Sequence, residues 1–251
     1  MTAGGTPQVT PIVALDVADR AAAETLVTTL GPSCDFYKVG LELFSAEGPA
    51  MVSWLRSAGK RVFVDLKLHD IPNTVRGAAR SVARAGASLL TVHAVGGEAM
   101  ISAAVAGAAE GGLADGESAG CGILAVTVLT SLDGATVGAT WGRPPVDVTT
   151  EVVRLAGAAV AGGAAGVVCS GHELAALRGA YGDRLGYLVP GLRLAGGASH
   201  DQQRVMTPGA AAAAGATWLV LGRAVTAAPD PVAALQAVQG DVALALGSQV
   251  A

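Results

Sequence analysis

The stretch Val62-Phe63-Val64-Asp65-Leu66-Lys67-Leu68-His69-Asp70-Ile71-Pro72-Asn73-Thr74 decides how the rest of the chain is read. It opens as a strand of β-branched and aromatic residues. It then turns charged where a buried strand should stay apolar. Asp65 and Lys67 are two apart and share one face of the strand, whereas Leu66 points with Val62 and Val64 toward a packing layer. Asp70 follows just past the strand end. Pro72 suits the first turn of a helix, where a missing N–H costs nothing. The charged residues therefore sit at the carboxyl end of a strand, at the mouth of a helix, where open α/β sheets and barrels both place their chemistry.

A surface ion pair at a strand end is the plainer reading, and lysine usage weighs against it. Of 16 basic residues only three are lysines: Lys38, Lys60 and Lys67. An ammonium can release its proton and a guanidinium effectively cannot, so a lysine kept in an arginine-rich chain points to proton chemistry. Lys38 and Lys67 fall at strand ends. Lys60 follows Gly59 between a helix and a strand and reads as a solvated loop charge.

Working outward, short apolar runs recur with helical stretches between them. Strands are expected at Ile12–Leu15, Phe36–Val39, Val62–Leu66, Leu89–Val92, Ile123–Leu129, Gly166–Cys169, Tyr187–Val189 and Thr217–Leu221. Helices are expected at Arg20–Leu30, Glu47–Ala58, Pro72–Ala85, Glu98–Glu110, Val146–Ala161, His172–Tyr181, Thr207–Ala214 and Pro231–Leu246. Arg76, Arg80 and Arg84 make a solvated stripe on the third helix. Leu132–Pro145 and the polar Ala195–Gln203 read as loops, and about the first ten residues as a flexible tail. The strands lack strict alternation, as parallel strands buried on both sides should. Eight βα units in 251 residues give an α/β chain of one domain, a (β/α)8 or TIM barrel. A doubly wound sheet is the rival, but no glycine fingerprint follows the first strand.

The formal charge of −4 and the lack of a basic stripe argue against nucleic-acid binding. Cys34, Cys121 and Cys169 are far apart and match no metal spacing, so they read as buried free thiols in a reduced, cytoplasmic compartment. The N-terminus has neither the basic start nor the apolar core of a signal peptide. The charge-free runs Leu155–Gly171 and Val205–Gly222 read as helix plus strand, not as membrane spans. The histidines form no ligand spacing with carboxylates or thiols; no metal is expected. His93 is either a site residue or a core histidine, and His172 a helix-start residue.

In a barrel all eight strand ends converge, which gathers Asp16, Lys38, Asp65, Lys67, His93, Thr130, Ser131, Arg193 and Arg223 on one face. The loops after the seventh and eighth strands hold Arg193, Gln202 and Gly222-Arg223, where barrels often bind phosphate. Glycine lets the backbone approach an anion, and arginine grips its oxygens bidentately. A cation is disfavoured at a helix start, and a bound anion would remove that conflict at Arg223.

From Ile12 to Leu235 the chain resembles the orotidine 5′-phosphate decarboxylase family. The resemblance rests on Ala14-Leu15-Asp16, Lys38-Val39-Gly40, Asp65 through Thr74, Val128-Leu129-Thr130-Ser131, Pro190-Gly191-Leu192-Arg193 and Leu221-Gly222-Arg223. The Asp65–Thr74 motif is highly specific, and the others are short but fall in order. Val189 departs from the threonine common before Pro-Gly in bacterial members.

The resemblance implies a homodimeric barrel that converts orotidine 5′-monophosphate to uridine 5′-monophosphate without metal or cofactor. It implies a charge network of Lys38, Asp65, Lys67 and Asp70, with Asp70 reaching in from the partner subunit and Lys67 as proton donor. Asp16, Lys38 and the partner's Thr74 would hold the ribose, and Thr130 and Ser131 would lie by the pyrimidine. Arg193, Gln202, Gly222 and Arg223 would hold the phosphate. Two rivals remain. Magnesium-dependent sugar-phosphate decarboxylases and hexulose phosphate synthases share the Asp-x-Lys-x-x-Asp strand end, but lack the match at Lys38, His69–Thr74 and Thr130-Ser131. A non-catalytic barrel sensing a nucleotide would accept arginine in place of both lysines.

Overall fold

The computed structural model describes residues 9–112, 120–194 and 206–247. Eight parallel strands, each paired with its neighbours in chain order and β8 with β1, close into a barrel. The strands are β1 (Thr10–Leu15), β2 (Phe36–Gly40), β3 (Arg61–Leu68), β4 (Leu89–His93), β5 (Gly122–Val126), β6 (Gly166–Val168), β7 (Gly186–Val189) and β8 (Trp218–Leu221). The intervening helices are α1 (Arg20–Leu30), α2 (Leu41–Glu47), α3 (Pro49–Ser57), α4 (Pro72–Arg84), α5 (Gly97–Glu110), α6 (Gly134–Thr140), α7 (Val148–Ala161), α8 (Leu174–Tyr181), α9 (Pro208–Ala213), α10 (Arg223–Thr226) and α11 (Pro231–Gly247). The expected (β/α)8 architecture is the one observed.

The period of two along each strand builds two apolar layers. Ile12, Ala14, Phe36, Phe63, Leu89, Leu124, Leu188 and Val220 fill the barrel interior. Val13, Leu15, Tyr37, Val39, Val62, Val64, Leu90 and Val92 face outward, packed with helix residues such as Val27, Leu55, Val75 and Met100. Burying one such side chain contributes roughly 1.5–3 kcal/mol relative to leaving it exposed. With both faces buried, few positions along a strand admit a polar residue at no cost, so those that carry one stand out.

Several boundaries differ from expectation. The helix expected over Glu47–Ala58 is α3, and α2 before it was not expected; Gly48, at φ +62, separates the two and Pro49 starts the second. The strand expected to reach Leu129 stops at Val126; Thr127 instead turns its hydroxyl onto the Val168 carbonyl at 2.8 Å. The loop expected at Leu132–Pro145 contains α6, whose N-cap Asp133 accepts from the Thr136 N–H at 2.8 Å. Three glycines masked that helix in the sequence. β1 begins at Thr10, inside the stretch expected to be tail; residues 1–8 lie outside the described residues.

Lys60 is not a solvated charge. Its ammonium donates to the carbonyls of Gly31 and Cys34 at 2.7 and 2.8 Å, closing the chain end that follows α1. Nor is the arginine stripe wholly free: Arg76 and Arg80 pair with Glu110 and tie α4 to α5. Cys34 and Cys169 are buried and Cys121 partly so, all three as free thiols. Burial raises each thiol pKa, that of Cys121 to about 12, which leaves them unreactive. Among the described residues no helix is long and apolar enough to cross a membrane.

Candidate active site

The carboxyl ends of the strands surround a cavity of about 340 Å³, within the usual range of roughly 300–1,000 Å³ for small-molecule sites. Interior residues Ala14, Phe63, Val126, Val168, Leu188 and Val220 form its apolar floor. The polar residues divide between two walls.

The first wall comes from β1, β2 and β3. The Lys38 ammonium lies 2.8 Å from Asp16 Oδ1 and 3.7 Å from Asp65 Oδ2. The Lys67 ammonium lies 2.9 Å from each Asp65 oxygen. The result is an unbroken chain Asp16–Lys38–Asp65–Lys67. Its inner members are recessed: the Lys38 and Asp65 side chains are only 10% and 15% exposed. At about 4 Å and an effective dielectric near 20 each contact to the recessed Asp65 is worth roughly 4 kcal/mol of Coulomb attraction, against which the cost of removing both charges from water must be set, while water screens the exposed Asp16 end. Gly40 makes room for the chain. A Cβ there would lie 2.9 Å from the Lys38 ammonium and 3.2 Å from Asp16 Oδ1.

β3 is irregular where it enters the cavity. Val64 pairs with Leu90, but the next registered pair is Leu68 with Val92, so β3 spends four residues where β4 spends two. Lys67 sits at φ +51, the one non-glycine residue at positive φ among the described residues. That conformation costs a β-carbon residue roughly 1–3 kcal/mol and recurs at functional sites. Bulges of this kind re-aim side chains. The bulge is stitched by Thr91, whose hydroxyl accepts from the Lys67 N–H and donates to Asp65 Oδ1, both at 2.9 Å. Thr91 was missed in the sequence. The available clue was a polar residue within the apolar run of β4.

The second wall comes from the loops after β7 and β8, which carry Pro190, Gly191, Arg193, Gly222 and Arg223. In an eight-stranded ring β7 lies opposite β3. Arg193 thus follows the strand across the barrel mouth from Asp65 and Lys67, while Arg223 follows β8, which pairs with β1 and so lies next to the Asp16 end of the chain. Thr130 lines the cavity; Ser131 beside it is exposed and is not part of the lining. Asp70 and Thr74 are exposed beyond the end of β3 and do not line their own chain's cavity. Asp70 Oδ1 accepts from the Ile71 N–H at 2.6 Å. Gln202 and His200 lie outside the described residues.

His93 ends β4 beside the cavity but does not line it, and its ring centroid is 5.8 Å from that of His69. His172 stands in a short 3-10 turn capped by Ser170, where a helix-start residue was expected. Among the described residues no three His, Cys, Asp or Glu side chains come together as a metal-ligand set.

This arrangement defines an α/β-barrel enzyme with a lysine–carboxylate chain and two arginines lining one small-molecule cavity. The chain belongs to the Orotidine 5'-phosphate decarboxylase / HUMPS family, which residues 10–238 match. It is 52% identical over 225 residues to an orotidine 5'-phosphate decarboxylase of Anaeromyxobacter sp. (strain K), covering 90% of this chain and 94% of that one. Its identity to the corresponding protein of Moorella thermoacetica is 49%, over 92% and 91% of the two chains. The crystal structure of orotidine 5'-phosphate decarboxylase from Lactobacillus acidophilus superposes with a TM-score of 0.82 at 35% identity, covering 94% of this chain and 99% of that one.

Burial, then His69 and Lys67, lower the His93 pKa from its ordinary 6.5, with Asp65 opposing. Above 6.5 the ring is neutral in both folded and unfolded chains and adds nothing to pH dependence. As pH falls through 6.5 the unfolded chain takes the proton first, so stability falls with pH. Replacing His93 by Gln should therefore flatten the loss of denaturant midpoint between about pH 7 and about pH 5. Unchanged acid sensitivity in that variant would place the titration elsewhere.

Proposed function

We propose that this chain decarboxylates orotidine 5′-monophosphate to uridine 5′-monophosphate, a step of pyrimidine biosynthesis, with no metal or cofactor. One observation carries the reading: the Lys67 ammonium is held on both oxygens of Asp65 at 2.9 Å, inside a cavity that Arg193 and Arg223 also line. When the bond from C6 to the carboxylate breaks, its electron pair stays on C6, in the ring plane, with no conjugated sink. An ammonium beside C6 stabilises that pair as it forms and then gives it a proton, which leaves carbon dioxide and the product. Lys67 takes its proton back from solvent. Asp65 fixes the ammonium and opposes the substrate carboxylate.

Arg193, Gln202, Gly222 and Arg223 hold the phosphate, Asp16 and Lys38 the ribose, and Thr130 lies by the pyrimidine. Binding energy from the remote phosphate then orients the reacting ring. Arginine suits the phosphate wall because it matches phosphate oxygens bidentately; lysine suits the reacting wall because it can give up a proton.

Asp70 and Thr74 complete the site of a second copy in a homodimer. The support is their placement: both are exposed past the end of β3, and Ile71 between them is 67% exposed. A cytoplasmic location fits the three free thiols.

Lys67→Arg keeps the charge and loses the proton donor, so kcat should fall at least about a thousandfold, or roughly 4 kcal/mol. Near-normal turnover would show that charge alone matters. The shared site has its own test. Lys67→Ala and Asp70→Ala should each inactivate the homodimer, yet a mixed dimer would hold one doubly damaged site and one intact site. Unfolding, mixing equal amounts and refolding makes about half the dimers mixed, so roughly a quarter of wild-type activity should return. No recovery despite demonstrated subunit exchange would confine Asp70 to its own chain.

A further inference from the structure

We infer that Thr91 is a positioning residue for the proton-transfer pair, acting through Lys67 and Asp65 without touching substrate; this rests on the decarboxylase reading above. The bulge in β3 sets Asp65, Leu66 and Lys67 against Thr91 alone, between the registered pairs Val64–Leu90 and Leu68–Val92. A regular ladder would give the Lys67 N–H a backbone carbonyl. Here it donates to the Thr91 hydroxyl at 2.9 Å.

A hydroxyl has one hydrogen and two lone pairs. Since an ionised carboxylate only accepts, the Thr91 hydrogen is committed to Asp65 Oδ1, 2.9 Å away, and a lone pair is left for the Lys67 N–H. One oxygen therefore joins the backbone of Lys67 to the carboxylate that grips the same residue's ammonium. The loop Lys67 N–Thr91 Oγ1–Asp65–Lys67 Nζ fixes both ends of the lysine side chain. Thr91 is fully buried and β-branched, so its rotamer is restricted and water does not replace it. The clamp also holds Lys67 in its left-handed conformation, which a lysine would not keep unaided. Threonine fits these demands: valine has the shape without the oxygen, and serine the oxygen without the stiffness.

The test is a series at one position, with kcat and KM for orotidine 5′-monophosphate measured for Thr91→Ser, Thr91→Val and Thr91→Ala. Thr91→Ser should stay within about threefold of wild type, while Thr91→Val and Thr91→Ala lose at least about tenfold in kcat, the scale of a lost hydrogen bond to a charged group. KM should move far less than kcat, because the phosphate wall is untouched. A packing role predicts the reverse order, since valine conserves volume and serine does not. Should Thr91→Val fail to fold, Thr91→Ser and Thr91→Ala still differ by a single oxygen. Equal losses in those two, or wild-type kcat in Thr91→Val, overturn the inference. A wild-type protein that does not consume this substrate overturns the decarboxylase reading and the inference with it.

Discussion

Two ammoniums on one recessed carboxylate set the terms for this site. Asp65 holds Lys67 on both oxygens and also faces Lys38, while Asp16 takes the far side of Lys38. Signs alternate along the chain, so each lysine has a carboxylate neighbour and no two like charges are adjacent. Without Asp65 the two ammoniums would face each other with little water to screen them, which in a partly buried setting is far costlier than at a surface. The alternation is thus both a stability requirement and a way to hold the Lys67 ammonium at a fixed point.

The barrel makes that order possible. Asp16, Lys38 and Asp65 come from three consecutive strands, so the closed parallel ladder sets them side by side. The apolar interior beneath them fixes their depth. The loops after β7 and β8 add Arg193 and Arg223 to the lining of the same cavity. The bulge at Asp65–Lys67 is the local exception to regularity. It is held by one buried threonine, and it brings the lysine to the mouth.

Much of this was legible in the sequence because its physics is local. Eight short apolar runs with helical stretches between them, the Pro72 helix start and the choice of lysine at positions 38 and 67 gave the barrel and one wall of the site. The misreadings have physical causes. Gly48 looks like a helix residue until its positive φ is known, and α6 hides behind glycines that ordinarily break helices. Lys60 looked solvated because its carbonyl partners, Gly31 and Cys34, are brought to it only by the fold. Thr91 shows in the sequence only as a polar residue in an apolar run: its partners lie on the neighbouring strand, and only a register shift leaves them to it.

Decarboxylation by the proposed lysine–carboxylate chain needs no metal. Dialysing the purified protein against EDTA, then following the absorbance of orotidine 5′-monophosphate together with release of carbon dioxide, puts that to the test. One carbon dioxide should appear per nucleotide consumed, at a rate unchanged by the chelator. Turnover that disappears on chelation and returns with magnesium would contradict it.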